Sequence, residues 1–363
     1  MSNDVIVVGA GVIGLALARE LHRQGLSVML LEAGAAGQGA SWAAAGMLWG
    51  YQTSEPALRP LAIASARLYP TWASELEAET YLPSGYHPSG TLFLASPGHA
   101  APAPTLPGWE RLLPEQLQAC EPGLRPVGAE AWRIAGDHSV DNRLLLAALL
   151  ASVRGRGLVL HEHQPVRAIQ ATAAGLAVTT PLGTHTARHV VNAAGAWAAA
   201  FAAPVAAPVR PCKGQMLSLL APDCPRHIIA AAGAYLVPRA DGRTLIGATL
   251  EDAGFDTTVA PAAIAALRRR AEALFPALAQ AGPAESWAGL RPASADELPL
   301  IGPTPCPGYW MATGHFRDGI LLAPITAKIL AHALATGHMT QALDLAPFLP
   351  ARFAPSAPGP LPS

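Results

Sequence analysis

The first thirty residues switch between two hydrophobic periods. Polar Asp4 gives way to an unbroken run, Val5-Ile6-Val7-Val8, that ends at Gly9. A continuous β-branched run of this length predicts a strand buried on both faces. Leu15, Ala18, Leu21 and His22 then recur at three- and four-residue steps, the period of a helix with one buried stripe. Gly25 stands where a helix C-cap belongs, and Val28-Met29-Leu30-Leu31 predicts a second strand, closed by Glu32. Together they read as a βαβ unit.

Further along, strands are predicted near 158–161, 166–170 and 175–180, and again at 189–192. Asp141 to Val153 predicts a helix with Asp141 as its N-cap, and 261–275 another with Pro261 in its first turn. After Trp310 a last strand enters Gly314, followed by a long apolar helix from about Gly319 to Ala335. Pro-rich segments surround 97–107 and 122–126. Beyond about residue 347 the chain is rich in Pro, Ala and Ser, a composition that predicts disorder. No internal repeat is visible.

Gly9, Gly11 and Gly14 fall as G-x-G-x-x-G between the first strand and its helix. The first glycine permits the tight turn, the second lets a pyrophosphate approach the backbone, and the third lets helix and strand pack closely. The helix N-terminus then offers unpaired N–H groups and a positive dipole end to phosphates. Glu32 ends the second strand where a carboxylate accepts hydrogen bonds from an adenosine ribose. NAD and FAD remain open on this evidence. Two later segments, 189–197 and 311–321, each run from a strand into a small-residue or Gly turn. They fit either a flavoprotein's return to its cofactor or ordinary β–α turns. In the first reading the second turn aims a helix dipole at the anion that forms on a reduced isoalloxazine.

At 363 residues, with 51% apolar and 13% charged, the chain can bury a large core in two joined domains. A net charge of −1 without a basic block argues against a polyphosphate partner, so no nucleic acid is expected. Val5 to Val8 lacks the basic lead of a secretory signal. The uncharged stretch 190–209 is long enough for a membrane span, yet Asn192, Pro204 and Pro208 fit a strand, a turn and a short buried helix better. No transmembrane segment and a cytoplasmic location are therefore expected. Cys120, Cys212, Cys224 and Cys306 form no CxxC pair and read as free thiols. His161 and His163 would share one strand face without a third ligand, so no metal site is expected.

Four blocks carry a family resemblance: 40–48 (ASWAAAGML), 247–256 (GATLEDAGFD), 287–292 (WAGLRP) and 314–321 (GHFRDGIL). With them, residues 4 to about 345 resemble the D-amino-acid-oxidase superfamily, and within it the glycine oxidases of thiamine biosynthesis. The resemblance implies an α/β Rossmann-type FAD-binding domain, discontinuous in sequence (1–82, 136–205 and 286–346). It also implies a mainly antiparallel β-sheet substrate domain (83–135 and 206–285) roofing the flavin, with 347–363 as a tail. FAD would be non-covalent, lined by Gly9, Gly11, Val12, Ile13, Gly14, Glu32, Ala33, Ala40, Ser41, Ala45, Gly46 and Met47. Val166 would pack near the adenine. Gly195 and Gly314 would also line FAD, and His315, Phe316, Arg317, Asp318, Gly319, Ile320 and Leu321 would wrap the isoalloxazine.

The resemblance gives Arg291 the grip on a substrate carboxylate, a role that suits a guanidinium fork. Tyr235 assists it, Arg317 lies near the amine end, and Met47 borders the substrate. No side chain acts as acid or base: a neutral amine gives hydride from its α-carbon to flavin N5, an imine leaves, and oxygen becomes hydrogen peroxide. The partners implied are a small amino acid, oxygen, a thiazole synthase receiving the imine, and further copies of the chain in a homo-oligomer. Gly233 and Leu250 depart from relatives that carry His and Met there, so glycine preference stays open. A D-amino-acid dehydrogenase, a sarcosine-type oxidase and a non-catalytic FAD-bound subunit also remain open.

Overall fold

The computed structural model describes residues 3–53, 55–96, 108–125, 130–221 and 223–353. The Pro-rich stretch 97–107, the end of the second one and the last ten residues lie outside them. Strand Asn3–Val8 is buried as its apolar run requires, and helix Val12–Arg23 follows the glycine turn. The helix ends at Gln24, with Gly25 beyond it, and strand Val28–Leu31 returns parallel to the first. Strands Val159–His161, Val28–Leu31, Asn3–Val8 and the end of Gly183–Asn192 then lie side by side, all parallel.

Strand Gly183–Asn192 has ten residues, longer than the four expected, because its two halves serve different partners. Its first half pairs antiparallel with Gly175–Thr180, which in turn pairs with Ala168–Thr172. Its last residues pair parallel with Tyr309–Thr313, and Leu300–Pro303 adds antiparallel to that strand. Helices Val12–Arg23, Arg59–Thr80, Asn142–Gly155 and Gly319–Thr336 share one apolar core on one face of this sheet. Asp141 caps its helix as expected, accepting from the N–H groups of Arg143 and Leu144.

Gly319–Thr336 is, among the described residues, the helix long and apolar enough to cross a membrane. It is two-thirds buried between protein elements, packing on Val12–Arg23 and Arg59–Thr80. The 190–209 stretch ends a strand at Asn192 and enters a 3₁₀ turn at Gly195–Trp197.

A second sheet runs in the order Gly282–Ser294, Val209–Leu220, Arg243–Gly247, Ala234–Pro238, Ile228–Ala231, Thr91–Leu94, Ala131–Ile134 and Trp109–Leu112. It is antiparallel except where Ile228–Ala231 meets Thr91–Leu94, so the mixed α/β class with a mainly antiparallel second sheet stands. Strand Gly282–Ser294 stays in this sheet for all thirteen residues and crosses position 285/286. Helix Pro261–Leu274 packs on the same sheet. A small third sheet joins Met47–Leu48, His138–Val140 and Tyr86–His87.

Two local expectations are corrected. The tail is ordered further than its composition suggested: Ala346–Phe348 and Pro350–Phe353 form 3₁₀ turns, and Phe348 is buried in the helical core. Arg352 holds them down through Asp296, with nitrogen–oxygen distances of 2.8 and 3.0 Å. His163 leaves the strand at φ +58 and does not share a face with His161, whose ring stacks on His185 instead.

Helix Arg59–Thr80 is tied to the first helix by a partly buried ion cluster around the buried Arg19. Glu79 accepts from Arg19 Nε at 2.9 Å, from Arg156 Nε at 2.6 Å and from the Ser152 hydroxyl. Burial alone would raise its pKa, but the bonds from Arg156, Ser152 and Arg19 outweigh it and lower it from 4.5 to about 2. A depressed carboxylate stabilises the fold above its unfolded pKa, and that stabilisation is lost as pH falls from about 4.5 toward about 2. Glu79→Gln should therefore cost about 1–2 kcal/mol at pH 7, since Arg19 is buried and loses its charged partner while Glu79 itself is partly solvated. Thermal unfolding should show the gap to wild type narrowing below pH 4.5. A gap independent of pH would remove Glu79's charge from the account.

Candidate active site

The glycine turn opens onto a cavity of about 1140 Å³ that runs between the two large sheets. That exceeds the ~300–1,000 Å³ of ordinary ligand pockets, so it can take a dinucleotide and a small substrate together. Gly9 adopts φ +102, and a Cβ there would lie 2.5 Å from the Ala193 carbonyl oxygen. Gly14 does not line the cavity; it sits beneath, where a Cβ would fall 1.9 Å from Gly9 O. Gly11 does line it, and a Cβ there would approach only Ser41 Oγ, at 3.1 Å. The turn thus presents bare backbone and a helix N-terminus to the space, a cradle that suits a pyrophosphate.

Glu32 borders the same end. Its two carboxylate oxygens accept the N–H groups of Ala10 at 2.7 Å and Gly34 at 2.9 Å. Those bonds orient the carboxylate and leave lone pairs for ribose hydroxyls. Ala33, Pro165 and Val166 line the wall nearby.

Residues 40–47 form the next wall. A short helix, Ala40–Ala43, turns into strand Met47–Leu48, with Gly46 wedged so that a Cβ would meet Val140 O at 1.9 Å. Four carbonyls of this wall are held by distant side chains. Asn142 Nδ2 donates to the oxygens of Ser41 and Trp42, Trp287 Nε1 to Ala43, and Arg239 Nη2 to Ala45 at 2.8 Å. Arg239 is almost wholly buried and also bonds Asn142 Oδ1. Burial lowers its pKa to about 10, with Asp141 opposing, so it remains charged. Sequence reasoning missed this clamp. The one signal was polar Asn142, directly after the helix cap.

At the far end strand Tyr309–Thr313 delivers Gly314 and then 315–320, all six of which line the cavity. Thr313 Oγ1 donates to Gly195 O at 3.1 Å, drawing the two late turns together, and Phe316 N donates to Pro292 O of strand Gly282–Ser294 at 2.9 Å. His315 is enclosed and meets Thr326 Oγ1 at 3.1 Å; burial lowers its pKa to about 3, so it is a neutral ring. Burial raises Asp318 to about 6, with Arg317 opposing. Gly314 and Leu321 do not border the space: Gly314 shapes the turn, and Leu321 is buried in the helical core.

Arg291 and Tyr235 meet on the second sheet. Arg291 lies flat against Gly214, where a Cβ would be 2.2 Å from Nη1, and it donates to Thr249 O at 3.2 Å. Tyr235 Oη lies over Gly247 and reaches Met216 Sδ at 3.5 Å. Burial raises its pKa, with the guanidiniums of Arg291, Arg317 and Arg239 opposing. The phenol thus keeps its proton at neutral pH and serves as a donor. Met47 and Arg317 border the same cavity, which brings together all four residues assigned to substrate.

Trp49, Gln52, Phe93 and Met216 also line this end and were not anticipated. Gly233 sits at φ +75 in the hairpin between Ile228–Ala231 and Ala234–Pro238, so it answers a backbone demand as well as leaving the wall open. Leu250 lines the cavity while more than half exposed, at its rim. Cys212, a free thiol, packs with Ala293 and Phe316. Among the described residues no three His, Cys, Asp or Glu side chains cluster to hold a metal.

The family model for FAD dependent oxidoreductases matches residues 4–333. The glycine oxidase of Pseudomonas aeruginosa is 38% identical over 372 residues, spanning 97% of this chain and 99% of that one. The bifunctional protein ThiO/ThiG of Trichormus variabilis is 37% identical, and this chain spans 91% of its own length but only 52% of that protein. The crystal structure of glycine oxidase from Geobacillus kaustophilus superposes with a TM-score of 0.90 at 35% identity, covering 96% of this chain and 98% of that one.

Proposed function

The chain belongs to the FAD dependent oxidoreductase (DAO) family, and from that premise we propose that it oxidises glycine and other small amino acids at the α-carbon, giving an imine and hydrogen peroxide. The observation that carries the reading is the Arg291–Tyr235 pair facing the same continuous cavity as the glycine turn. FAD held there would supply the hydride acceptor and the two-electron route to oxygen.

The protein's own part is binding and orientation. Arg291 takes the substrate carboxylate with the donors not spent on Thr249, and the Tyr235 hydroxyl adds a third bond. That grip turns the α-carbon toward 315–320, while the Trp49 and Met216 side chains border the reacting end and exclude water. The amine must arrive neutral, so the site needs no general base. Arg317 beside that end disfavours a protonated amine.

The proposal extends to a hand-off of the imine to a thiazole synthase, supported by the Trichormus relative that joins ThiO and ThiG in one chain. It also includes non-covalent FAD, a cytoplasmic location, assembly of identical chains, and a division into a flavin domain on the first sheet and a substrate domain on the second.

Anaerobic titration of the yellow protein with glycine, sarcosine and D-alanine tests the reading through its visible flavin band. Bleaching by glycine, then recovery with peroxide on admitting air, is the expected result. Bleaching without recovery would make the protein a dehydrogenase, and no bleaching by any of the three would sink the substrate class.

A further inference from the structure

Asp137 is a buried acid that the proposed reaction leaves unused. It occupies the turn between strands Ala131–Ile134 and His138–Val140, fully enclosed, and its Oδ1 accepts the Tyr51 N–H at 2.9 Å. The other carboxyl oxygen, Oδ2, is buried without a hydrogen-bond partner among the described residues, as is the nearby Gln52 Nε2, so the Tyr51 N–H is the contact that anchors the acid. Beside it Gly136 lies against the Tyr51 ring, where a Cβ would fall 2.6 Å from Cε2. One carboxyl and one glycine thus hold the middle of 49–53 in place.

The ends of that hold reach the site. Trp49 and Gln52 line the cavity. The Trp49 ring meets Tyr235 edge-on, with centroids 6.1 Å apart, and its Nε1 donates to Thr91 Oγ1 at 3.2 Å. The titratable groups around the turn are Tyr51, His138 and, beyond His138, Tyr86 and His87. Burial and His87 both lower the pKa of His138, so it brings no cation to the turn at neutral pH. Burial raises the Asp137 carboxyl to about 7, with the bond from the Tyr51 N–H opposing.

The geometry points to Asp137 as a positioning residue: by holding Tyr51 it fixes Trp49 against Tyr235, and through Tyr235 the seat of the substrate carboxylate. This rests on the amino acid oxidation reading of the cavity. An ionised carboxylate is a stronger acceptor than its acid or an amide, so the hold tightens as Asp137 loses its proton.

The test compares wild-type holoenzyme with Asp137→Asn, measuring KM and kcat for glycine and amide hydrogen exchange over 49–53. At pH 6 the two should agree, because the wild-type acid is then mostly protonated. At pH 8 the variant's KM should be ~10-fold higher, the order of one charge-assisted hydrogen bond, with kcat little changed and exchange at Tyr51 faster. Gly136→Ala, which displaces the Tyr51 ring and keeps the acid, should raise KM at both pH values. A KM ratio flat with pH and unaltered exchange would overturn the assignment, as would a lowered Tm with neither change. Should glycine fail to reduce the wild-type flavin, the function fails separately, and the exchange comparison alone decides the hold.

Discussion

Arg291→Ala should raise KM for glycine about a hundredfold or more while the protein stays yellow. A guanidinium carries five donors. In this structure one is spent on Thr249 O and the group is braced against Gly214, so a planar fork remains for a carboxylate. Removing it strands the substrate's charge in a half-dry pocket. Truncating one partner of such a pair costs about 2–5 kcal/mol, and the middle of that range is roughly two orders of magnitude in affinity. The turnover number should fall less, because Arg291 holds a group that does not change charge during the reaction. Lysine should restore only part of the loss, since an ammonium is a point charge without the fork. Steady-state kinetics with a parallel measure of bound flavin checks both halves. An unchanged KM would remove Arg291 from the substrate site, and a colourless protein would place its role with the cofactor instead.

What the sequence revealed, and what it hid, follows from how far each signal reaches along the chain. Val5 to Glu32 is a local statement: a β-branched run, a glycine turn, one helical stripe and a closing acid. The structure keeps every part of it. Part of the cavity wall was legible too, through the family resemblance that blocks such as 40–48 and 314–321 carry. The braces behind the wall were not. Arg239 reaches Ala45 across 194 positions, Trp287 reaches Ala43 across 244, and Asn142 spans about a hundred. No periodicity within a window encodes such contacts. The acid at Asp137 was silent for the same reason, since in sequence it is an ordinary turn residue between two strands. The tail misled because composition speaks of average burial, and one docked Phe348 with the Arg352–Asp296 pair is enough to order seven residues.

Gly14→Val should abolish retention of FAD by destroying the packing beneath the cradle. The Cβ alone would sit 1.9 Å from Gly9 O, 3.0 Å from Gly9 C and 3.4 Å from Val7 Cγ1. Relief by a small shift is blocked. Gly9 is itself pressed on the Ala193 backbone, and helix Val12–Arg23 is fully packed along its inner stripe by Leu15, Ala18 and Leu21. The helix must therefore lift from strand Asn3–Val8, at a cost of about 3 kcal/mol or more, and its N-terminal N–H groups leave the place where phosphates would meet them. Gly11→Ala separates packing from binding, because its Cβ points into the cavity and approaches only Ser41 Oγ. That variant should fold with a Tm near wild type yet hold FAD more weakly. The flavin-to-protein ratio after gel filtration, read beside Tm, distinguishes the two. Full flavin content in Gly14→Val would mean that the turn tolerates a backbone shift of an ångström or more, and that the cradle's fit to the cofactor is looser than its packing implies.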